Sequence, residues 1–256
     1  MKQRFSVSRL AVGAGVVWLG AHSAATQIAP VRVLASNGVR AAVEELKPAC
    51  ERAVGRSLTI DYGSSAALKR RIEGGEAFDL AILTPETTAA LVSAGRIANG
   101  TAVDLASIGI GFGIRAGSPK PDIATPEAMK QTLLKAKSIS IVKEGASRAA
   151  IEQMFERLGI AEAIASKVKL ESGTEVAGEN VAQGRTEIEI VPLSEIPLVN
   201  GVQILGPLPG DLQHYLRFQA ALSANAKDAG AATKAIQFLT SPAAAPVFKA
   251  KGMEPK

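Results

Sequence analysis

LTIDYGSSAALKRRIEGGEAFDLAILTPE, from Leu58 to Glu86, decides how the rest of the chain is read. Leu58 to Tyr62 is a short apolar-leaning run with strand character. Gly63-Ser64-Ser65 makes a turn, after which Ala67, Leu68, Arg71 and Ile72 fall at helical spacing. Gly74-Gly75 ends that helix, because glycine takes the left-handed C-terminal conformation without steric cost. Phe78 to Leu83 is nearly continuous in apolar residues, as a parallel strand covered on both faces would be. Thr84-Pro85-Glu86 then opens a further helix with a capping hydroxyl, a proline at the first helical position and an acid in the first turn.

The order is therefore strand, hydroxyl, helix, repeated. Val31 to Ala35, then Ser36-Asn37, then a helix over about Val39 to Val54 adds a third copy upstream, with Pro48 expected to kink that helix. In an open parallel sheet such junctions share one edge, and ligands bind there. Each helix start offers unpaired N–H groups and partial positive charge, and a Ser or Thr adds a donor. Ser36, Ser64, Ser65 and Thr84 are the candidate anion ligands of this half. Ser64 serves equally well as a turn residue or a ligand.

Further along, Ile108 to Arg115 (IGIGFGIR) alternates large apolar residues with Gly109, Gly111 and Gly113. This is strand periodicity with one bare face. No helix opens directly after it, so a nucleotide-binding glycine loop is disfavoured. It reads as a strand crossing between two lobes, and Gln213 to Leu222 reads as the strand that returns. Between them lie strands at Ser138–Val142, Val168–Leu170, Glu187–Val191 and Val202–Leu205, and helices opening at Thr125, Ala149 and Glu175. Helices over Ala229–Leu239 and Pro242–Phe248 close the chain. The expected organisation is a leader over residues 1–25, a first lobe over 26–107 completed by 214–256, and a second lobe over 108–213.

Bulk composition narrows the function. The chain has 256 residues, of which 47% are hydrophobic and 4% aromatic, too few aromatics for single-strand nucleic-acid stacking. Lys2, Arg4 and Arg9 precede a short apolar run, Leu10 to Gly20, and small residues from Ala21 to Ala25: the pattern of a cleaved secretory signal. Removing that leader lowers the formal charge from +5 to 29 − 3 − 24 = +2, so no basic nucleic-acid surface is expected. Cys50 is the single cysteine, which excludes an internal disulfide. His214 is the one histidine beyond the leader, so no metal site is expected. Ser64 or Ser65 with His214 is the one plausible Ser/His combination, and no Gly-x-Ser-x-Gly elbow is present. A binding protein ranks first, a regulator or sensor second and an enzyme third.

LAS at Leu34–Ser36, YGSSAALKRRIEGGEAFDLAI from Tyr62, and a small-residue turn before AAIEQMFERLG together resemble the molybdate-binding periplasmic proteins of ABC importers. The resemblance runs from about Val31 to Lys251. It implies an α/β, two-lobed type II periplasmic-binding-protein fold with two crossing hinge strands, closing on its ligand. It also implies a periplasmic location, a membrane permease as partner, a monomer and no cofactor. Carried over residue by residue, the oxyanion ligands fall on Ser36 and Ser65 with Thr84 beside them, on Ser147, and on the backbone N–H of Val176. The sequence departs from the family at Pro192, where a tyrosine is usual, and at Arg148, where a small residue is usual. A molybdate-like oxyanion is one expected ligand. If Arg148 turns inward, its planar fork suits a small carboxylate or sulfonate instead. No acid occurs in the candidate turns, so a donor-only cage that rejects protonated phosphate is expected.

Overall fold

The computed structural model describes residues 29–256, and the leader over 1–25 lies outside them. In chain order the elements are β1 (Val31–Ser36), α1 (Arg40–Val54), β2 (Leu58–Gly63), α2 (Ser65–Glu73), β3 (Leu80–Leu83), α3 (Pro85–Ser93) and β4 (Val103–Arg115). There follow α4 (Pro126–Lys135), β5 (Ile139–Val142), α5 (Arg148–Arg157), α6 (Ala161–Ile164), β6 (Val168–Glu171), α7 (Thr174–Ala182) and β7 (Ile188–Pro192). The chain ends with β8 (Val202–Pro207), β9 (Tyr215–Leu222), α8 (Ala229–Leu239), α9 (Ala245–Ala250) and β10 (Met253–Pro255).

The opening strands behave as their apolar runs predict. β1 lies parallel between β2 and β3, with Leu34 opposite Asp61 on one side and Ala81 on the other. The first strand–helix passage differs from the expected direct entry: Asn37–Val39 forms a single 3-10 turn before α1 begins. Pro48 sits inside α1, which continues through it to Val54. Phe78 and Asp79 precede β3 rather than join it. Asp79 has a structural task, its carboxylate accepting N–H bonds from Arg32 at 2.9 Å and Lys227 at 2.7 Å.

β4 organises the two lobes. Its first half pairs with β9 and β10, and its second half pairs with β7 and β8, all antiparallel. Each half lies over its own core. One core gathers Val33, Leu46, Ile82, Ile108, Phe218 and Phe248; the other gathers Phe112, Met129, Leu133, Ile151, Phe155 and Ile190. The returning passage is Gln213–His214, where the Gln213 amide clasps both the N–H and the C=O of Ile110, at 2.9 and 3.0 Å. β9 itself belongs to the first sheet, between β3 and β4.

The bare face of β4 is occupied by close neighbours. A Cβ at Gly109 would lie 2.9 Å from the Gln213 amide nitrogen, one at Gly111 2.2 Å from a Leu193 methyl, and one at Gly113 2.4 Å from a Glu189 carboxylate oxygen. Gly111 is the most confined, because the backbone oxygen of Gly206 also stands 2.8 Å from that position. We expect Gly111→Ala to destabilise the protein by roughly 1–3 kcal/mol, the ordinary cost of overpacking. Urea unfolding of parent and variant measures this, and equal midpoints would contradict the close-approach account.

Candidate functional site

Two cavities open between the lobes, and they share the turn Glu144–Ala146 that leads into α5. The inner one, about 360 Å³, is walled on one side by Ser36, Asn37, Gly63, Ser64 and Arg70. Its other wall is Val142, Ser172, Gly173, Thr174 and Glu195. The outer one, about 770 Å³, has Ser65, Thr84 and Thr87 on one side and residues of α5 on the other, with His214 and Arg217 at the return passage.

The sequence-predicted ligands divide between these spaces. Ser36 ends β1, is buried, and makes no side-chain cap. Ser64 caps α2 by accepting from the Ala67 N–H at 3.1 Å, which leaves its own hydroxyl proton free to donate. These two share the inner cavity. Ser65 is buried and its hydroxyl accepts from the Thr84 N–H at 3.2 Å, tying the second junction to the third. Thr84 and Ser65 face the outer cavity. Ser147 is buried at the start of α5, makes no side-chain cap, and forms part of neither wall. Val176 lies in the first turn of α7 with its side chain exposed, while Gly173 and Thr174, just before it, form the wall.

Arg148 turns away from both cavities. It pairs with Glu152 at 2.5 Å and lines a separate depression with Ile141, Phe155 and Leu170 on the second lobe. The condition on which it would bind a carboxylate, an inward side chain, is therefore not met.

Two acids border the inner cavity, Glu144 and Glu195, the latter not singled out in the sequence, so its wall is not made of donors alone. Glu195 follows β7 in a short turn and is 7% exposed. Its Oε2 accepts the Thr174 hydroxyl proton, and among the described residues Oε1 takes no hydrogen bond. Burial pushes the Glu195 carboxyl up to about 7, against the opposing pull of the Thr174 hydroxyl. Glu189, on β7, is buried with neither oxygen partnered among the described residues. Burial, helped by the charge of Glu195, pushes it up to about 8. Glu144 also faces the cavity, where Arg70 holds it at 2.5 Å.

That Arg70–Glu144 contact joins α2 of one lobe to the β5–α5 turn of the other. A second such pair, Arg40–Glu175 at 2.6 Å, joins α1 to α7, with the Arg40 guanidinium 5.3 Å from the centre of the Tyr62 ring. The Ser194 hydroxyl adds a buried bond to the Gly38 carbonyl at 2.7 Å. Among the described residues no group of His, Cys, Asp and Glu is placed to hold a metal ion, and no helix is long and apolar enough to cross a membrane.

Residues 31–254 match the family described as bacterial extracellular solute-binding protein. The chain belongs to that family. Over 251 residues it is 29% identical to an aconitate isomerase of a Pseudomonas species, covering 96% of this chain and 95% of that one. It is 28% identical over 254 residues to the molybdate-binding protein ModA of Azotobacter vinelandii, covering 97% of this chain and 98% of that one. Among solved structures, the periplasmic molybdate-binding protein of Azotobacter vinelandii superposes with a TM-score of 0.72 at 18% identity, over 87% of this chain and 98% of that one. The fold is thus the two-lobed architecture of periplasmic binding proteins, as the resemblance implies, and a solute site between lobes is its natural place.

The buried acids have a consequence for stability. Unfolded, both carboxyls titrate near 4.5; folded, Glu195 and Glu189 hold their protons to about 7 and about 8. Between those limits the folded chain holds protons that the unfolded chain has released, so stability falls as pH rises through the window. We expect the urea midpoint to drop between about pH 5 and about pH 8, by a few kcal/mol of stability at most, and Glu189→Gln to flatten the fall. A parent and variant with the same slope would contradict the assignment.

Proposed function

We propose that this solute-binding protein captures a small anion in the inner cavity between its lobes, works in the periplasm, and hands its solute to an ABC-importer permease. The observation that carries the reading is convergence. The hydroxyls of Ser36 and Ser64, the start of α2 and the start of α7 all border one 360 Å³ space. Helix starts present unpaired N–H groups and favour negative charge, and the guanidinium on the wall, Arg70, is paired with Glu144, so these donors are what suit the space to an anion.

A specific observation favours an organic carboxylate over a bare oxyanion such as molybdate. The volume of the space lies within the range of roughly 300–1,000 Å³ found for organic ligands, more than a five-atom oxyanion fills. The similarity to an aconitate isomerase supports this second reading and points to an unsaturated polycarboxylate of the aconitate kind. On it, the protein need not be a receptor alone.

Isothermal calorimetry with molybdate, phosphate and trans-aconitate tests both readings. We expect trans-aconitate to bind most tightly, and Ser36→Ala and Ser64→Ala each to weaken it by about 1.5–3 kcal/mol, roughly ten- to a hundredfold. Molybdate binding far above trans-aconitate would select the oxyanion instead. Both variants binding as the parent does would move the site elsewhere.

A further inference from the structure

The wall of the inner cavity carries one acid that the protein leaves without a counter-charge. Glu195 is 7% exposed and borders the space, and its Oε2 accepts the Thr174 hydroxyl proton. Oε1 takes no hydrogen bond among the described residues, yet it is not sealed inside the protein as both oxygens of Glu189 are. The charges around it are otherwise engaged. Arg70 of α2 pairs with Glu144 in the turn before α5, and Arg40 of α1 pairs with Glu175 of α7. Glu189 of β7 is a second acid, whose own ionisation the charge of Glu195 opposes. Burial raises Glu195, and no cation pulls it back. Among the described residues no group of His, Cys, Asp and Glu is placed to hold a metal ion that could do so.

Groups of the opposite preference border the same 360 Å³ space: the starts of α2 and α7 and the hydroxyls of Ser36 and Ser64. Those donors suit a carboxylate. An unpaired buried carboxyl suits a cation, because a buried charge is costly until it is paired. From this division we propose that the solute carries both signs: a small amino-carboxylate, its carboxylate against the helix starts and its ammonium against Oε1 of Glu195. The proposal rests on the carboxylate reading of the site and narrows it. A solute with acid groups alone leaves Glu195 unpaired and brings like charge toward it. An ammonium has three donors, so it can serve Oε1 and still keep other hydrogen bonds.

Proton exchange gives this pairing a signature. Without solute, burial pushes the Glu195 carboxyl up to about 7. An ammonium beside Oε1 favours the ionised form, lowers that value and expels the proton. A solute carboxylate beside it favours the neutral form and keeps the proton in place. Glu189, pushed up to about 8, holds its proton through the same range, and ionisation of Glu195 raises it further. Near about pH 6 an amino-carboxylate therefore releases a proton as it binds, and a plain carboxylate does not.

Calorimetry at about pH 6, in buffers of differing ionisation enthalpy, tests the proposal. L-alanine, β-alanine and 4-aminobutanoate are set against propanoate and butanoate, with trans-aconitate alongside. At least one amino acid should bind about tenfold or more tighter than the acid of the same skeleton without the amino group, and should release a proton. In Glu195→Gln that ratio should collapse toward one and the proton release should vanish. If no amino acid outbinds its plain acid, the proposal is overturned. Should propanoate, butanoate or trans-aconitate bind in that case, the carboxylate reading stands without it; should none bind, that reading falls as well. A preference that persists in Glu195→Gln would overturn the role of Glu195. If that variant fails to fold, the parent alone decides, because an amino acid bound without proton release contradicts the pairing.

Discussion

Two sheets with separate cores are hydrogen-bonded to one strand, β4, and that shared strand fixes where everything else can lie. Its alternation of Ile108, Ile110, Phe112 and Ile114 with Gly109, Gly111 and Gly113 divides its surroundings by size. The large side chains fill the two cores, Ile108 in one and the other three in the next. The glycines admit Gln213, Leu193 and Glu189 to distances that any Cβ would forbid. Gln213 closes the return passage and Leu193 is the root of the segment that carries Glu195. A side chain on the bare face would displace these residues and, through them, the wall of the cleft.

The electrostatic character of that wall follows from the same packing. The start of α2 and the Ser36 and Ser64 hydroxyls make the first-lobe side a set of donors. The second-lobe side adds the start of α7 and a carboxyl whose ionisation is opposed by burial. The ionised side chains nearest the cavity, Arg70 and Glu144, satisfy one another and contribute little net charge.

Much of the fold was legible because its signals are local. Apolar runs gave β1, β2 and β3; Thr-Pro-Glu at Thr84 and Thr125 marked helix starts; and the bounds of α8 agree with its apolar period. The alternation of Ile and Gly identified β4 as a strand with a bare face, though nothing in it tells what fills that face. The site was legible only in part. Ser36 and Ser64 advertise themselves by standing between strand and helix. Glu195 has no such signal, because it follows β7 in Leu193-Ser194-Glu195, an unremarkable loop, and gains its meaning from Thr174, twenty-one residues away in sequence. Arg148 misled for the opposite reason. Its place at a helix start suggested an anion, yet a single turn of α5 supplies Glu152 to hold it.

The contacts that join the lobes at their rim are of a kind that can be broken cheaply. Arg70–Glu144 and Arg40–Glu175 are half-exposed pairs, and pairs of that sort contribute about 0–1 kcal/mol each, less as salt rises. Their sum is only a few times thermal energy. Such a clasp biases the lobes toward one another without locking them, so a solute that bridges both walls supplies most of the residence time. The clasp also weakens as ionic strength rises, so salt alone relaxes the hold of one lobe on the other at the rim.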